Sequence, residues 1–150
     1  MNKSTYLFLA LVFLFFSCGQ RRVYEEFISL ENQSWNISDS LQFELEAIDL
    51  TGKKALIALR FNEEYRYSNC YIRVISRDST RSILANKLLD IPLFDSKTGE
   101  PLGDGFGSTF TKYDTLPFSI PNHTVSITLL QYMRTEHLSG IEAAGIKIID

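Results

Sequence analysis

The chain has 150 residues, 45% of them hydrophobic and 22% charged, with a formal net charge of −3. That balance excludes a disordered polar tail and supplies apolar surface for one packed domain. The 15 Lys and Arg are scattered among 18 Asp and Glu, which excludes the basic stripe of a nucleic-acid binder.

In chain order, MNKSTYLFLALVFLFFSCGQ sets Lys3 ahead of an apolar run over 6–16, closed by Ser17 and Cys18. The run is shorter than the roughly 20 residues a spanning helix needs and fits the h-region of an export signal. A small residue before Cys at the end of that run resembles the lipobox of bacterial lipoproteins. The expectation is a lipoprotein signal peptide over 1–17, cleavage between Ser17 and Cys18, and lipidation of the Cys18 thiol. Residues 18–22 then form a lipidated anchor and short tether, with membrane lipid as partner through the acyl chains and Arg21 and Arg22 beside the headgroups. Residues 23–150 form the folded domain. Losing Lys3 takes the formal charge from −3 to −4, and Cys70 becomes the one remaining thiol, so no intramolecular disulfide is expected.

Beyond the tether the periodicity is that of strands. Leu41, Phe43, Leu45 and Ala47 alternate with polar residues, and 55–61, 70–75, 83–94, 125–130 and 144–149 read similarly. Turn signals separate them at 51–53, 77–79, the glycine cluster of 99–107 and 120–123. MRTEHLSG, 133–140, is expected to make one short helix. Short strands divided by frequent turns predict an all-β fold, an antiparallel β-sandwich or jelly-roll-like domain.

The glycine cluster GEPLGDGFGS invites a phosphate-cradle reading, but Gly107 leads into STFTKYDTLPFSIP, which is strand-like, and not into a helix N-terminus. Its glycines instead suit positive φ or close backbone approach at a bulged sheet edge. Asp95 and Glu100 lack calcium-loop spacing, and His123 and His137 lack ligand partners, so no metal or cofactor is expected. No serine sits in a nucleophile elbow, Cys70 lies in a strand pattern as a small buried hydrophobe, and Glu25–Glu26 and Glu63–Glu64, being adjacent, would point to opposite strand faces. No catalytic residue is nominated. Tyr65, Tyr67, Asn69 and Tyr71 alternate and would share the outer face of a strand beginning that early. That row is the candidate partner surface, the competing reading being ordinary cross-strand packing. Gln131 and Arg134 are expected to satisfy loop carbonyls.

Four segments, VYEEFISLENQSW (23–35), EYRYSNCYIRV (64–74), PLGDGFG (101–107) and QYMRTEHLSGIEAAGIKI (131–148), resemble in order and spacing the gliding-motility lipoprotein GldH family of the Bacteroidota. Phe61, Cys70 and Pro101 depart from the family pattern. The resemblance implies a noncatalytic, outer-membrane-associated lipoprotein of the gliding machinery, linked to type IX secretion. It would act as a scaffold or assembly component with a protein partner in that envelope complex. A carbohydrate-binding lipoprotein module is the alternative, since sandwiches with exposed aromatics suit glycans. Gly19, Gln20, Arg21 and Arg22 follow Cys18 in place of the early acids of surface-exported lipoproteins. The expected location is therefore the periplasmic side of the outer membrane.

Overall fold

The computed structural model describes residues 21–150; the signal peptide, Ser17 and Cys18 lie outside them. Eleven strands follow in chain order: β1 (Arg22–Ser29), β2 (Ser34–Asn36), β3 (Ser40–Glu44), β4 (Lys54–Asn62), β5 (Asn69–Arg77), β6 (Ile83–Pro92), β7 (Asp104–Phe106), β8 (Thr109–Thr115), β9 (Ser126–Gln131), β10 (His137–Ser139) and β11 (Ile141–Ile149). They form a five-stranded sheet in the order β1-β11-β4-β8-β7, a four-stranded sheet in the order β3-β9-β5-β6, and a β2–β10 ribbon. Every pairing is antiparallel. The all-β sandwich expected from the sequence is the fold observed.

Period-2 alternation explains the two layers. Ile57, Leu59 and Phe61 of β4 meet Ile72 and Val74 of β5 and Ile127 and Leu129 of β9 in one buried cluster. Each such side chain, fully buried, contributes about 1.5–3 kcal/mol. On β11 the register shifts between Ile141 and Ala143, so that Ile141 joins Ala144, Ile146 and Ile148 in the same core despite the broken parity.

The registers also define two ends. At one, Arg22 pairs Ile149 and Ile149 pairs Lys54, while in the other sheet Ser126 pairs both Glu44 and Arg77. The chain enters there, and Asp150 N–H donates to the Arg21 carbonyl at 3.3 Å. At the other end, Asn62 pairs Thr109 and Asn69 pairs Pro92. We call these the N-terminal pole and the opposite pole.

Several expectations change. The strand containing Leu41 and Phe43 stops at Glu44, so Leu45 stays in the core but Ala47 turns out to solvent. Residues 133–140 form no helix: Arg134 has φ 57°, and 137–139 pair as β10 with Asn36, Trp35 and Ser34. Ribbon pairing with a distant strand, and burial of Leu138 beside Trp35, outweigh the local propensity. Strand β1 begins at Arg22, one residue inside the expected tether. The glycine cluster does sit at a sheet edge, on β7. Gly107, φ +68°, closes a two-residue hairpin, and a Cβ on Gly103 would meet the Thr111 carbonyl group at 2.8 Å. The β7–β8 register is regular, however, with no bulge.

Candidate functional site

Tyr65, Tyr67, Asn69 and Tyr71 do not form one row. β5 begins only at Asn69, and the preceding turn carries Tyr65 inward, leaving it 4% exposed with its hydroxyl donating to the Asn69 carbonyl at 2.7 Å. The reason is geometric: alternation holds only within extended chain, and 63–68 is a loop. Tyr65 is a core residue whose ring packs edge-on to Tyr67 at 5.7 Å and stacks with Phe94. Tyr67 and Tyr71 are exposed, and Asn69 donates to Asp90 at 2.5 Å across β5–β6.

What the fold assembles is an end and not a row. Of the nine exposed large hydrophobic side chains among the described residues, six lie at the opposite pole: Ile37, Tyr67, Tyr71, Leu102, Phe106 and Tyr132. Phe106 stands out at 97% exposure on the tip of the β7–β8 hairpin. The hairpin is held from below, because Thr109 Oγ1 donates to Glu142 Oε1 at 3.1 Å and the buried Asn62 amide donates to both Glu142 and Gln33. Tyr132 lies under the Arg73 guanidinium, 4.4 Å from its ring centre, and the Tyr71 amide donates to the Met133 sulfur. Arg73 and Tyr132 were not singled out in the sequence. The usable signal was Arg73 at i+2 from Tyr71 on the same strand face.

Charge at this pole is negative. Glu63, Glu64, Asp95, Glu100, Asp104 and Glu136 outnumber Arg66, Arg73, Lys97 and Arg134 there. Backbone amides of Thr98 and Lys97 hold the Asp95 carboxyl below its ordinary range and so keep it ionised. An open groove of about 600 Å³ runs between Glu63, Glu64, Arg66, Tyr67, His137 and Ser139. Glu63 and Glu64, expected to diverge, both line it because they sit in the turn beyond β4. His137 Nδ1 is 3.2 Å from the Asn36 amide. Gln131 behaves as its position suggested, donating to the Thr135 carbonyl at 2.7 Å.

The outer face of the five-stranded sheet also carries aromatics, but they are matched internally. Arg60 caps Phe27, Lys147 caps Tyr113, and Tyr113 donates to Glu25 at 2.7 Å. Burial pushes the Glu25 carboxyl up, but the hydrogen bonds from Tyr113 and Arg22 and the nearby Lys147 outweigh it and leave it below its usual range. Such a lattice stabilises the sheet and leaves little to offer a partner.

Cys70 is fully buried, and burial pushes its thiol up to about 12. A low-pKa nucleophile is the reverse of this environment. The folded thiol ionises later than the unfolded one, so its contribution to stability is complete below about pH 8.5 and is lost as pH rises toward 12. Tyr65 is raised by burial in the same direction. Urea midpoints are expected to fall above pH 9, and Cys70→Ala should flatten that fall while itself costing about 1–3 kcal/mol. A midpoint level from pH 8 to 11 would contradict the packing described. Among the described residues, no group of three His, Cys, Asp or Glu is placed to hold a metal ion.

Fold and surfaces together define a β-sandwich whose exposed aromatic side chains gather at one pole. The family model described as GldH lipoprotein matches residues 22–148, nearly all of the described chain. The chain belongs to the GldH lipoprotein family. A relative from Christiangramia forsetii, named a gliding motility lipoprotein GldH homolog, is 34% identical over 106 residues. That match covers 69% of this chain and 62% of the relative, so the chain spans less than two thirds of the relative's length. Membership in a lipoprotein family brings with it membrane attachment through lipid.

Proposed function

We propose that the protein is a noncatalytic lipoprotein of the gliding machinery linked to type IX secretion, serving as a scaffold or assembly component. In this reading Cys18 carries the acyl chains on the periplasmic side of the outer membrane, residues 1–17 are removed, and 23–150 form the working domain. Family membership, with a relative named a gliding motility lipoprotein, supports the assignment to that apparatus. The observation that carries the binding role is the separation of poles: the chain enters at Arg22, and the exposed aromatic, acidic surface lies at the far end of the strands. On this reading, the seven pairs between β1 and β11, at about 3.4 Å per residue, would hold that surface roughly 20 Å further from the bilayer than the anchor. A partner with basic residues and an apolar pocket complements it, and Phe106, preorganised on a two-residue hairpin, is the natural anchor residue.

A photoreactive benzoyl-phenylalanine at 106 or 67, in cells, should give the same protein adduct, with a crosslinked peptide rich in Lys or Arg. The same probe at the exposed Ile83, on the N-terminal pole, should give none. Phe106→Ala should weaken the contact about 30-fold, in keeping with a hot spot of about 2 kcal/mol, without lowering stability. Equal adducts from position 83 would overturn the assignment of the pole.

The groove around Tyr67 favours a second reading, glycan binding, because it sets one aromatic ring among carboxylates suited to sugar hydroxyls. Digestion by proteinase added to intact cells would favour that reading. Protection until the outer membrane is opened would favour the periplasmic one.

A further inference from the structure

A second groove, of about 440 Å³, runs along the outer face of the four-stranded sheet from Ser40 and Leu130 to the N-terminal pole, where Ser126 pairs Arg77 and the groove's two arginines lie. Arg77 and Arg81 form its cationic side, Ser126, Thr128 and Gln42 supply hydroxyl and amide groups, and Ile75 contributes to an apolar floor. Arg77, which lines the groove, donates from Nη1 to Thr128 Oγ1 at 3.1 Å, a bond that holds one edge of a guanidinium with five N–H donors in all. The ion pairs of the described residues take up Arg22, Lys53, His137 and Lys147, and neither Arg77 nor Arg81.

Neither nearby acid, Asp78 or Glu44, is ion-paired with Arg77 or Arg81. The Asp78 carboxylate accepts from the Thr80 amide at 2.9 Å, the Thr80 hydroxyl at 2.7 Å and the Ser82 amide at 3.0 Å, and Glu44 accepts from Gln42 at 2.6 Å. The loop that Asp78 ties together holds Arg81 at φ +67°, a left-handed conformation that costs a bulky residue stability. Glycine would fit there without strain, so the position sets a cation where the backbone favours none.

We propose that this groove binds the phosphate headgroup of an anionic lipid in the leaflet that holds the anchor. The assignment to lipid rests on the anchoring reading of Cys18: Arg21, three residues on, lies at the same pole as Ser126 and Arg77. The strand that enters the domain also packs toward this sheet, Tyr24 lying against the core cluster that holds Leu41 and Phe43. Phosphate meets the paired guanidinium groups, the glycerol hydroxyls meet Ser126 and Gln42, and the apolar floor accommodates the glycerol carbons. Occupancy would turn a flexible tether into a fixed orientation, with the opposite pole facing away from the bilayer.

The test uses the full lipoprotein in neutral detergent micelles, titrated with dihexanoylphosphatidylglycerol and followed by NMR at the Arg77 and Arg81 side chains and the Thr128 amide. Saturable shifts at all three are expected. Arg77→Gln and Arg81→Gly should each weaken binding about fivefold, a loss in keeping with one surface arginine near an anionic headgroup. Arg81→Gly should also melt no lower than the parent, because it relieves the positive φ, so its lost binding cannot be put down to misfolding. Dihexanoylphosphatidylcholine binding equally well would overturn recognition of a net negative headgroup, and inorganic phosphate binding equally well would overturn lipid as the source. Absence of saturable shifts would overturn the site itself. A chain found by mass to lack acyl groups, yet binding at Thr128, would sink the anchoring reading and leave the site standing.

Discussion

Gly140→Ala, in the turn between β10 and β11, is expected to lower unfolding stability by about 3 kcal/mol or more, the largest loss for so small an addition at any glycine of the described residues. Gly140 sits at φ +85°, and a Cβ there would run into the Tyr65 amide nitrogen and Cα and approach the Glu64 carbonyl carbon at 2.8 Å. Those are backbone atoms, which cannot swing aside as a side chain would. The same residue closes the β2–β10 ribbon on the sandwich: its amide donates to the Gln33 carbonyl at 2.9 Å, and its carbonyl accepts from Asn62 at 3.0 Å. Pushing Tyr65 away would therefore disturb both the loop beside the Tyr67 groove and the burial of Trp35 and Leu138. Gly107→Ala is the control. It shares the positive φ, +68°, but a Cβ there meets nothing within 4 Å, so it should cost only about 1 kcal/mol. Equal urea midpoints for the two variants would show that close packing at Gly140 contributes nothing.

The contrast between those two glycines marks how far the sequence could be read. Alternation identified Leu41 and Phe43, the run over 55–61 and the run over 70–75, because a strand inside a sandwich writes its two faces directly into every second residue. The turn at 95–99 was equally legible: the Asp95 carboxylate accepts two backbone amides, and the Gly99 amide donates to the Asp95 carbonyl at 2.8 Å. The β2–β10 ribbon was not. Each strand is three residues long, its partners Trp35 and Leu138 are far apart in sequence, and left-handed residues at Asn32, Gln33 and Arg134 break the local pattern. Nothing local separates such a segment from a short helix.

The binding surface was legible in part for the same reason. Tyr67 and Tyr71 do reach solvent, but they share a pole with Phe106, Leu102 and Tyr132 because the β7–β8 hairpin tip and the connections between the sheets lie at the same end of the strands, and only strand order and register supply that. Tyr65 shows the opposite failure. Counting by twos across 65–71 carried a strand's parity into a loop, and the loop turned the ring into the core. The groove at Arg77 and Arg81 depends on β5 lying beside β9, which puts Thr128 within reach of Arg77 from 51 residues away.

Cys18→Ser is expected to abolish stable membrane attachment, with the chain recovered either in the soluble periplasmic fraction or with its signal uncleaved, since acylation precedes cleavage in this pathway. A single acyl chain gives an association constant of only about 10⁴ M⁻¹, while a second makes attachment stable, so the effect on partitioning is close to all or none. The consequence at the opposite pole should be graded. For the proposed partner in the same envelope complex, tethering would make the encounter effectively intramolecular, and releasing the domain would remove that effective concentration, a loss on the order of 10²–10⁴ in apparent affinity without any change in the contact surface. Crosslinking from position 106 should thus fall with Cys18→Ser although the domain remains folded, and should recover in part when the soluble domain is overproduced. Phe106→Ala should show the other pattern, full membrane attachment with a weak contact that overproduction restores far less. Membrane retention of Cys18→Ser equal to the parent, without incorporation of labelled fatty acid, would mean that the chain is held by something other than lipid on Cys18, and the opposition of an anchored pole to a docking pole would lose its basis.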